Sequence, residues 1–332
     1  MKKLNVVDLF SGCGGISKGF EEAGFNILLG VDNWEDALKT FEYNHKSSKI
    51  LNTDISKLSG KDILKRLNNN EVDVVVGGPP CQGFSLAGNR KRDDERNLLV
   101  FHFARLINEL QPKAFVMENV LGILSMAEGK IKKDLMNEFS RIGYNVLEPK
   151  GLFAHHYGVP QIRRRVFFIG IRKDINKSPS YPIPTHYDKE TNQLDLIPKR
   201  VKPSVNVWQA ISDLDFLKDE DKEETIRDYE IPPESEYQKE MRNKSQKVYN
   251  HSVSNHTEQT KKVISFVPEG GNWENLPKKY QNIRSYSNTW KRLHPRKPSV
   301  TIDCGHRHHF HYKANRVQTV RESARIQSFN NN

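Results

Sequence analysis

The sequence is poor in cysteine and lacks any long hydrophobic segment. Cys13, Cys81 and Cys304 are its three cysteines among 332 residues, and their spacing matches neither a disulfide framework nor a zinc site. No run of 18 apolar residues exists, and the first three residues lead directly into a short strand pattern. These absences argue against a transmembrane helix and a signal peptide. They predict a cytoplasmic protein without a metal and without a membrane partner.

Acidic residues are outnumbered by basic ones and are concentrated in one stretch. The chain has 52 Lys and Arg against 41 Asp and Glu, a formal net charge of +11. Residues 213–236 hold 11 acidic and 3 basic side chains, so the remainder is more strongly positive. Such an excess suits a polyanionic partner, although charge alone leaves a merely well-solvated surface equally open. The acidic stretch is expected to face away from any nucleic acid.

Short apolar runs alternate with helical patterns up to about residue 172. Strands are predicted at 4–9, 26–31, 72–76, 114–117 and 166–171. Helices are predicted between them at 17–23, 35–43, 61–67, 98–110 and 131–142. This alternation predicts an α/β domain with a mostly parallel sheet that is covered on both faces.

From residue 176 the chain is polar, rich in loops and interrupted by proline. Trp208, Trp273 and Trp290 offer anchors that a disordered linker would lack. The length favours about two domains. We therefore predict a first domain over 1–175, a small irregular second domain over 176–290, and a closing segment over 291–332 that starts a return to the first domain.

The most informative stretch is 77–82, Gly-Gly-Pro-Pro-Cys-Gln, which directly follows a predicted strand. A buried strand that ends in such a turn presents its next residues at the carboxyl edge of the sheet, where α/β domains bind ligands. Cys81 is thus predicted to be a presented nucleophile, although an unpaired cysteine is more often a core residue. Its thiolate needs a positive or helix-terminal environment to form at neutral pH.

Five blocks, in one order, resemble the signature motifs of the DNA (cytosine-5)-methyltransferases. They are 8–15 (Asp-Leu-Phe-Ser-Gly-Cys-Gly-Gly), 80–82 (Pro-Cys-Gln), 118–120 (Glu-Asn-Val), 161–165 (Gln-Ile-Arg-Arg-Arg) and 292–302, which ends in Pro-Ser-Val-Thr-Ile. The resemblance implies a Rossmann-like, doubly wound S-adenosylmethionine-dependent methyltransferase domain and a smaller target recognition domain. It implies methyl transfer to C5 of a flipped-out cytosine in a specific double-stranded DNA sequence. A bacterial restriction-modification enzyme associated with the nucleoid would have this activity.

The glycine-rich segment 10–15 follows the first strand and opens a helix. Alone it fits a dinucleotide fold equally well, with Asp32 on the ribose in either case. The Pro-Cys-Gln block favours S-adenosylmethionine, which has no pyrophosphate. By resemblance, the cofactor contacts are Phe10, Ser11, Gly12, Gly14, Gly15, Asp32, Asn33, Asp54, Ile55 and Pro80. Asp54 would reach the adenine, and its alternative role is a helix N-cap.

The catalytic residues are predicted from the chemistry of cytosine, whose C5 is a weak nucleophile. Addition of the Cys81 thiolate to C6 makes C5 enamine-like. Electrons then move toward N3, where a protonated, largely buried Glu118 would stabilise the adduct, its alternative being a surface carboxylate that caps a helix. Arg163 and Arg165 alternate, so on a strand they share one side. By resemblance Arg165 contacts the base and the thiolate, and Arg163 supports the site.

A stacked base must be flipped out before Cys81 can reach it. Residues 83–97 resemble the loop with which the family closes over its DNA. By this resemblance, and by that of the last block, the DNA contacts are Gln82, Ser85, Arg96 and Thr301. Residues 304–311 hold one thiol and several histidines, but without a second cluster a loop packed on DNA or protein is favoured over zinc.

One feature departs from the family. After 321–329 its members continue into a Gly-Asn block and a helix that complete the cofactor pocket, whereas this sequence stops at Asn332. Three explanations stay open: a truncated or frameshifted product, an artificial end, and the larger part of a split enzyme whose second chain supplies the missing block. Three hypotheses compete with a DNA cytosine C5 methyltransferase. They are an RNA cytosine C5 methyltransferase, a non-catalytic DNA-binding remnant and, least favoured, a nicotinamide-dependent dehydrogenase.

Overall fold

The structure is a computed structural model, and it describes residues 3–80, 99–187, 201–218, 220–223, 226–281, 290–303 and 309–331. The chain divides into two compact units. The first comprises Met1–Leu152 and Arg164–Pro182, and the second comprises Phe153–Arg163 and Ile183–Asn332. The short segment Phe153–Arg163 thus groups with the second unit although chain of the first unit flanks it on both sides. One domain boundary near residue 175 therefore does not describe how the chain is divided between the two units.

The described residues up to 172 form nine strands. They are β1 (Asn5–Leu9), β2 (Asn26–Asp32), β3 (Lys49–Asn52), β4 (Val74–Gly77), β5 (Ala114–Asn119), β6 (Tyr144–Val146), β7 (Lys150–Phe153), β8 (Gln161–Ile162) and β9 (Arg164–Arg172). All except β8 form one sheet in the order β3-β2-β1-β4-β5-β9-β6, with β7 also paired to β9. Neighbours from β3 to β5 run parallel, and β9 runs antiparallel to β5 and β6.

Five α-helices are described between these strands. They are α1 (Gly15–Glu22), α2 (Glu35–Asn44), α3 (Gly60–Arg66), α4 (Leu99–Leu110) and α5 (Lys130–Arg141). The five predicted strands and five predicted helices are therefore all confirmed, with ends shifted by a few residues. Strands β3, β6, β7 and β8 were not predicted, because two to four residues carry too little periodicity to be recognised.

The core of the first unit lies on both faces of the sheet. Val7 and Leu9 of β1 belong to one buried cluster, whereas Val6 belongs to another that contains Phe41 of α2. Neighbouring residues of one strand point to opposite faces, so burial of both sets requires cover on each side. The doubly wound α/β fold predicted from the sequence is confirmed.

The order of the strands creates a binding edge. The chain runs from β1 outward to β3 and then returns to add β4 on the other side of β1. Ligands of open α/β sheets bind where the order reverses, outside the carboxyl ends of the strands. Here those ends are Leu9 and Gly77, which are register partners. A Cβ on Gly77 would lie 2.2 Å from the carbonyl oxygen of Leu9, so glycine is required for this close approach.

The second unit consists of short, irregular elements, as predicted. Its further strands are β10 (His186–Tyr187), β11 (Lys202–Pro203), β12 (Arg227–Asp228), β13 (Lys247–Val248), β14 (Lys291–Arg292), β15 (Ser299–Val300) and β16 (His309–Phe310). Its helices are α6 (Val207–Ile211), α7 (Glu236–Arg242), α8 (Glu258–Ser265), α9 (Lys278–Gln281) and α10 (Val320–Ile326). Trp273 and Trp290 pack against one of its apolar clusters, but Trp208 is 40% exposed and anchors less than expected.

The acidic stretch 213–236 is not simply a solvated face. Asp213 is fully buried, and its carboxylate lies 2.8 Å from Nε of Arg242 and 3.2 Å from Nη1 of Arg325. Asp215 accepts a hydrogen bond from the hydroxyl of Tyr312. Part of the predicted negative surface is therefore an internal ion-pair network that joins α7 and α10 to the chain after α6.

Candidate active site

The glycine-rich loop after β1 has an unusual backbone. Phe10, Gly12 and Gly14 adopt φ angles of 61°, 51° and 91°. Three of five consecutive residues therefore have a positive φ, in the left-handed region of backbone conformation. A non-glycine residue in this region is uncommon and strained, and Phe10 is therefore held there by its surroundings. The Ser11 amide donates to the carbonyl of Val31 at 3.0 Å. The start of the loop is thus still hydrogen-bonded to β2, beside which β1 runs in parallel.

Asp32, the last residue of β2, ties this loop to the start of α2. Its Oδ2 accepts from the Gly12 amide at 2.8 Å, and its Oδ1 accepts from the Trp34 amide at 2.9 Å. Each carboxylate oxygen keeps a further lone pair, so hydroxyl groups of a ligand can still be accepted. Asn33 is exposed beside it, and Gly15 is exposed as the first residue of α1.

Sequence reasoning missed Trp34. Trp34 is 64% exposed at the N-terminal cap of α2, and its backbone amide is the one that donates to Oδ1 of Asp32. A large exposed aromatic ring beside a hydrogen-bond acceptor suits a planar heterocycle such as adenine. The available signal was its place directly after the acidic end of the second strand, but its residue type alone did not distinguish it from the other tryptophans.

Two buried oxygen atoms near the loop lack partners among the described residues. They are the hydroxyl of Ser11, which is 7% exposed, and Oδ1 of Asp8, which is fully buried. The other Asp8 oxygen accepts from the Ser17 hydroxyl at 2.6 Å. Burial raises the pKa of Asp8 to about 7, the Ser17 hydrogen bonds oppose this, and the negative charge of Asp32 adds to it. Of the two, only the Ser11 hydroxyl belongs to the loop and could bond a polar ligand there.

The predicted contacts on the adenine side lie in a turn. Oδ1 of Asp54 accepts from the Ser56 amide at 2.9 Å, and this bond lowers the pKa of the exposed carboxylate. Asp54 therefore caps a turn, which is close to the alternative of a helix cap. The Ile55 side chain is 4% exposed in the core, and its carbonyl accepts from Nη2 of Arg105 at 3.0 Å.

The loop after β4 is fixed up to the residue before the predicted nucleophile. The buried Nδ2 of Asn119 donates to the carbonyl of Pro79 at 2.9 Å. Pro80 is partly buried and ends this part of the described chain. The predicted residues Cys81, Gln82, Ser85 and Arg96 lie outside the described residues. Asn119 was not predicted as a site residue, although it stands in the Glu-Asn-Val block.

Glu118 and Arg165 meet at this edge of the sheet. Nε of Arg165 lies 2.9 Å from Oε1 of Glu118, and each side chain is 23% exposed. A Cβ built on Gly78 would lie 3.1 Å from Oε2 of Glu118, so the carboxylate borders the loop that leads to residue 81. Glu118 lies within β5, opposite Phe167, and not after the strand as predicted. It is ion-paired and partly exposed, whereas a largely buried carboxyl was expected.

The fourth and fifth sequence blocks meet in the second unit. Strand β8 pairs in parallel with β15, so Gln161 faces Ser299, and the Thr301 hydroxyl donates to the carbonyl of Ile162 at 2.9 Å. Arg163 occupies the gap between β8 and β9, and its amide donates to the carbonyl of Gln161 at 2.8 Å. Because Arg163 is outside a strand, the predicted alternation does not place it on the side of Arg165.

Two features are absent from the described part of the chain. No helix there is both long and apolar enough to cross a membrane. No group of three or more His, Cys, Asp or Glu side chains there is arranged to hold a metal ion. Residues 304–308 of the histidine-rich segment lie outside the described residues.

Comparisons with known proteins agree with one another. A family model described as C-5 cytosine-specific DNA methylase matches residues 4–332. The Type II methyltransferase M.DdeI of Desulfomicrobium norvegicum is 36% identical over 342 residues, which cover 98% of this chain and 78% of that protein. M1.HphI of Haemophilus parahaemolyticus is 36% identical over 329 residues, which cover 98% and 77%. A crystal structure described as a DNA modification methyltransferase encoded within an E. coli prophage superposes with a TM-score of 0.80 at 29% identity, covering 99% of this chain and 89% of that one.

Proposed function

Because the chain belongs to the C-5 cytosine-specific DNA methylases, we propose that Cys81, Glu118 and Arg165 perform the transfer at the carboxyl edge of its sheet. The protein is a transferase of the restriction-modification type, and its family uses S-adenosylmethionine to methylate C5 of cytosine in DNA. The family and the activity predicted from the sequence are thus confirmed. The role of each residue, the course of the reaction and the DNA sequence are proposals.

The donor site is the loop between β1 and α1 together with the start of α2. Its features fit S-adenosylmethionine: Asp32 can accept from ribose hydroxyls, Trp34 offers an aromatic face, and Ser11 has a buried hydroxyl to share. The bound donor supplies an electrophilic methyl group. Phe10, Gly12, Gly14, Gly15, Asn33, Asp54, Ile55 and Pro80 remain proposed contacts.

One observation carries the proposed chemistry. The carboxylate of Glu118 borders Gly78 and pairs with Arg165, while Asn119 holds the carbonyl of Pro79 two residues before Cys81. An acid, a cation and the base of the loop that bears the thiol therefore meet at one edge. A guanidinium near this edge would also favour the thiolate.

The proposed reaction has three steps: addition of the thiolate, methyl transfer and elimination. The Cys81 sulfur bonds to C6 while the C5–C6 π electrons move toward N3, where Glu118 shares a proton. C5 then attacks the methyl carbon, and the donor's sulfonium sulfur leaves with its bonding pair. Transfer of the C5 proton to solvent water restores the C5–C6 double bond as the thiolate departs from C6 with its bonding pair, and N3 returns its shared proton to Glu118. Arg165 orients Glu118 and the base throughout this sequence.

The second unit is proposed to recognise duplex DNA. Its irregular architecture and the neighbouring Ile162 and Thr301 support this role, and Arg163 lies beside them. Gln82, Ser85 and Arg96, which lie outside the described residues, remain proposed contacts with the DNA around the flipped base. Methylation would protect host DNA from a cognate nuclease. A second chain that completes the cofactor pocket stays a prediction, as does the cytoplasmic location.

Bisulfite sequencing tests this function directly. We would express the chain and its Cys81→Ser variant in a host without cytosine methylation, and then sequence the genomic DNA. The expected result is 5-methylcytosine within one short sequence for the unmodified chain and none for the variant. Methylation that persists in Cys81→Ser would overturn the thiol mechanism. A purified chain that labels transfer RNA, but no duplex DNA, would favour the RNA alternative.

A further inference from the structure

The side chain of His45 lies behind the glycine-rich loop. It follows α2 and is 1% exposed. Its Nε2 lies 3.3 Å from the carbonyl oxygen of Gly14, and its Nδ1 lies 3.4 Å from Oε2 of Glu21 on α1. The ring packs on Phe41 with a centroid separation of 4.6 Å. A polar ring in this place is enclosed and is directed at the loop.

The space between His45 and the loop is closed. A Cβ built on Gly14 would lie 2.5 Å from Nε2 of His45, and the φ of 91° already disfavours any other residue there. On the far side of the loop, Asp32 holds the amide of Gly12. The loop is therefore held at two points. The carboxylate of Asp32 accepts a hydrogen bond from the Gly12 amide, and the imidazole of His45 contacts the carbonyl of Gly14.

The chemistry of the contact defines the role of the ring. A carbonyl oxygen only accepts, so Nε2 must carry the hydrogen for this bond to form. The same Gly14 oxygen accepts from the Lys18 amide at 2.8 Å, which is the first hydrogen bond of α1. The ring thus fixes both the direction of the Gly14 peptide and the point at which α1 begins.

We infer that His45 is a positioning residue for the donor site, acting through the Gly14 peptide to hold the loop in its binding conformation. The inference rests on the proposed use of this loop for S-adenosylmethionine. A net hydrogen bond of ordinary strength corresponds to about a fivefold change in an equilibrium constant. Loss of the His45 bond weakens donor affinity by about that factor, while turnover at saturating donor stays within twofold because the ring does not touch the reacting atoms.

The test compares two amide substitutions of similar polarity. In His45→Gln the amide nitrogen reaches the position of Nε2, whereas in His45→Asn it falls short by about one bond. Isothermal titration with S-adenosylmethionine gives the donor Kd of each purified protein, and steady-state assays give KM and kcat. His251 provides a control, since it is also fully buried and hydrogen-bonded, to Thr319 and to the carbonyl of Leu214.

The expected results separate a positioning role from a purely structural one. His45→Gln keeps the donor Kd within twofold, and His45→Asn raises it about fivefold with kcat nearly unchanged. His251→Gln lowers the melting temperature without altering the donor Kd. Equal donor affinity in both His45 variants and the unmodified chain overturns the inference, and so does equal weakening in both. Failure of the unmodified chain to bind the donor would instead count against the proposed function.

Discussion

The guanidinium of Arg165 and the carboxylate of Glu118 form one unit, with 2.9 Å between Nε and Oε1. Strand β9 delivers the arginine and β5 delivers the glutamate, and these strands are antiparallel neighbours. Because both side chains are partly exposed, the pair is accessible to a ligand and still oriented. This ion pair borders the loop that leads to Cys81.

Glu118→Gln is expected to lower kcat by about 10²- to 10⁴-fold, because the amide cannot share a proton with the base. Donor affinity should change less than twofold. Glu138→Gln is the matched control, since Glu138 also pairs with an arginine, Arg141, but on the exposed face of α5. Single-turnover methylation of cognate DNA measures the effect. Nearly normal rates in Glu118→Gln would exclude the carboxyl group from the chemistry.

Asn119→Asp is expected to lower both stability and kcat. The substitution keeps the shape but removes the Nδ2–H that the buried carbonyl of Pro79 accepts, at a cost of about 1–3 kcal/mol. The loop before Cys81 should then lose its fixed position, and kcat should fall at least about tenfold. Asn26→Asp, which breaks a 2.8 Å bond to Asn5 at the start of β2, should lower stability alone. Unfolding curves and initial rates distinguish the two variants. An equal loss of activity in Asn26→Asp and Asn119→Asp would contradict the proposal that Asn119 positions the loop before Cys81.

Trp34→Ala is expected to raise the donor Kd about tenfold, whereas Trp34→Phe should retain most of the affinity. Stacking of a base on an aromatic side chain contributes about 1–3 kcal/mol in nucleic-acid complexes, and adenine offers the same face here. Tyr43→Ala serves as the control, because Tyr43 is 76% exposed on the same helix. Titration calorimetry measures all three variants. Equal losses from Trp34→Ala and Tyr43→Ala would show that exposure alone explains the effect.

Asp8 should make stability depend on pH. The pKa of its carboxyl group is about 7 in the folded protein, against an ordinary value of 3.8 that applies to the unfolded chain. Between these two pH values the folded state therefore holds a proton that the unfolded state has released. The free energy of unfolding therefore falls as the pH rises through this window, by up to about 1.4 kcal/mol per pH unit, and levels off above it. Asp8→Asn lacks this slope. Denaturant titrations of both proteins between pH 5 and pH 8 check the difference, and parallel curves would refute it.

Cys13 should report on donor binding. It is exposed and lies between Gly12 and Gly14 in the loop. In a Cys81→Ser background, saturating S-adenosylmethionine is expected to slow alkylation of Cys13 by iodoacetamide at least about fivefold, since a bound ligand restricts access to the thiol. Peptide mass spectrometry measures the rate at this residue. The protection should disappear in Asp32→Ala, and protection that persists there would place the donor elsewhere.

Much of the site was predictable from the sequence, because its parts are local. A strand followed by a glycine-rich segment, and a strand followed by two prolines, define their turns within a few residues. Asp32 was recognisable because it ends a strand at a suitable distance from the first loop. The periodicity of the apolar residues likewise determined that the first half of the chain is a covered parallel sheet, since burial on both faces requires such runs.

Tertiary structure alone decided the remaining features. It joined Arg165 to Glu118 and Asn119 to Pro79, and it brought Gln161 beside Ser299, although each pair is far apart in sequence. Asp213 belongs to an acidic stretch of the sequence, yet in the folded protein it is buried and paired with two arginines. Periodicity and turn residues report on contacts within one element. Pairing between elements depends on strand order and register, and these follow from the packing of the whole core.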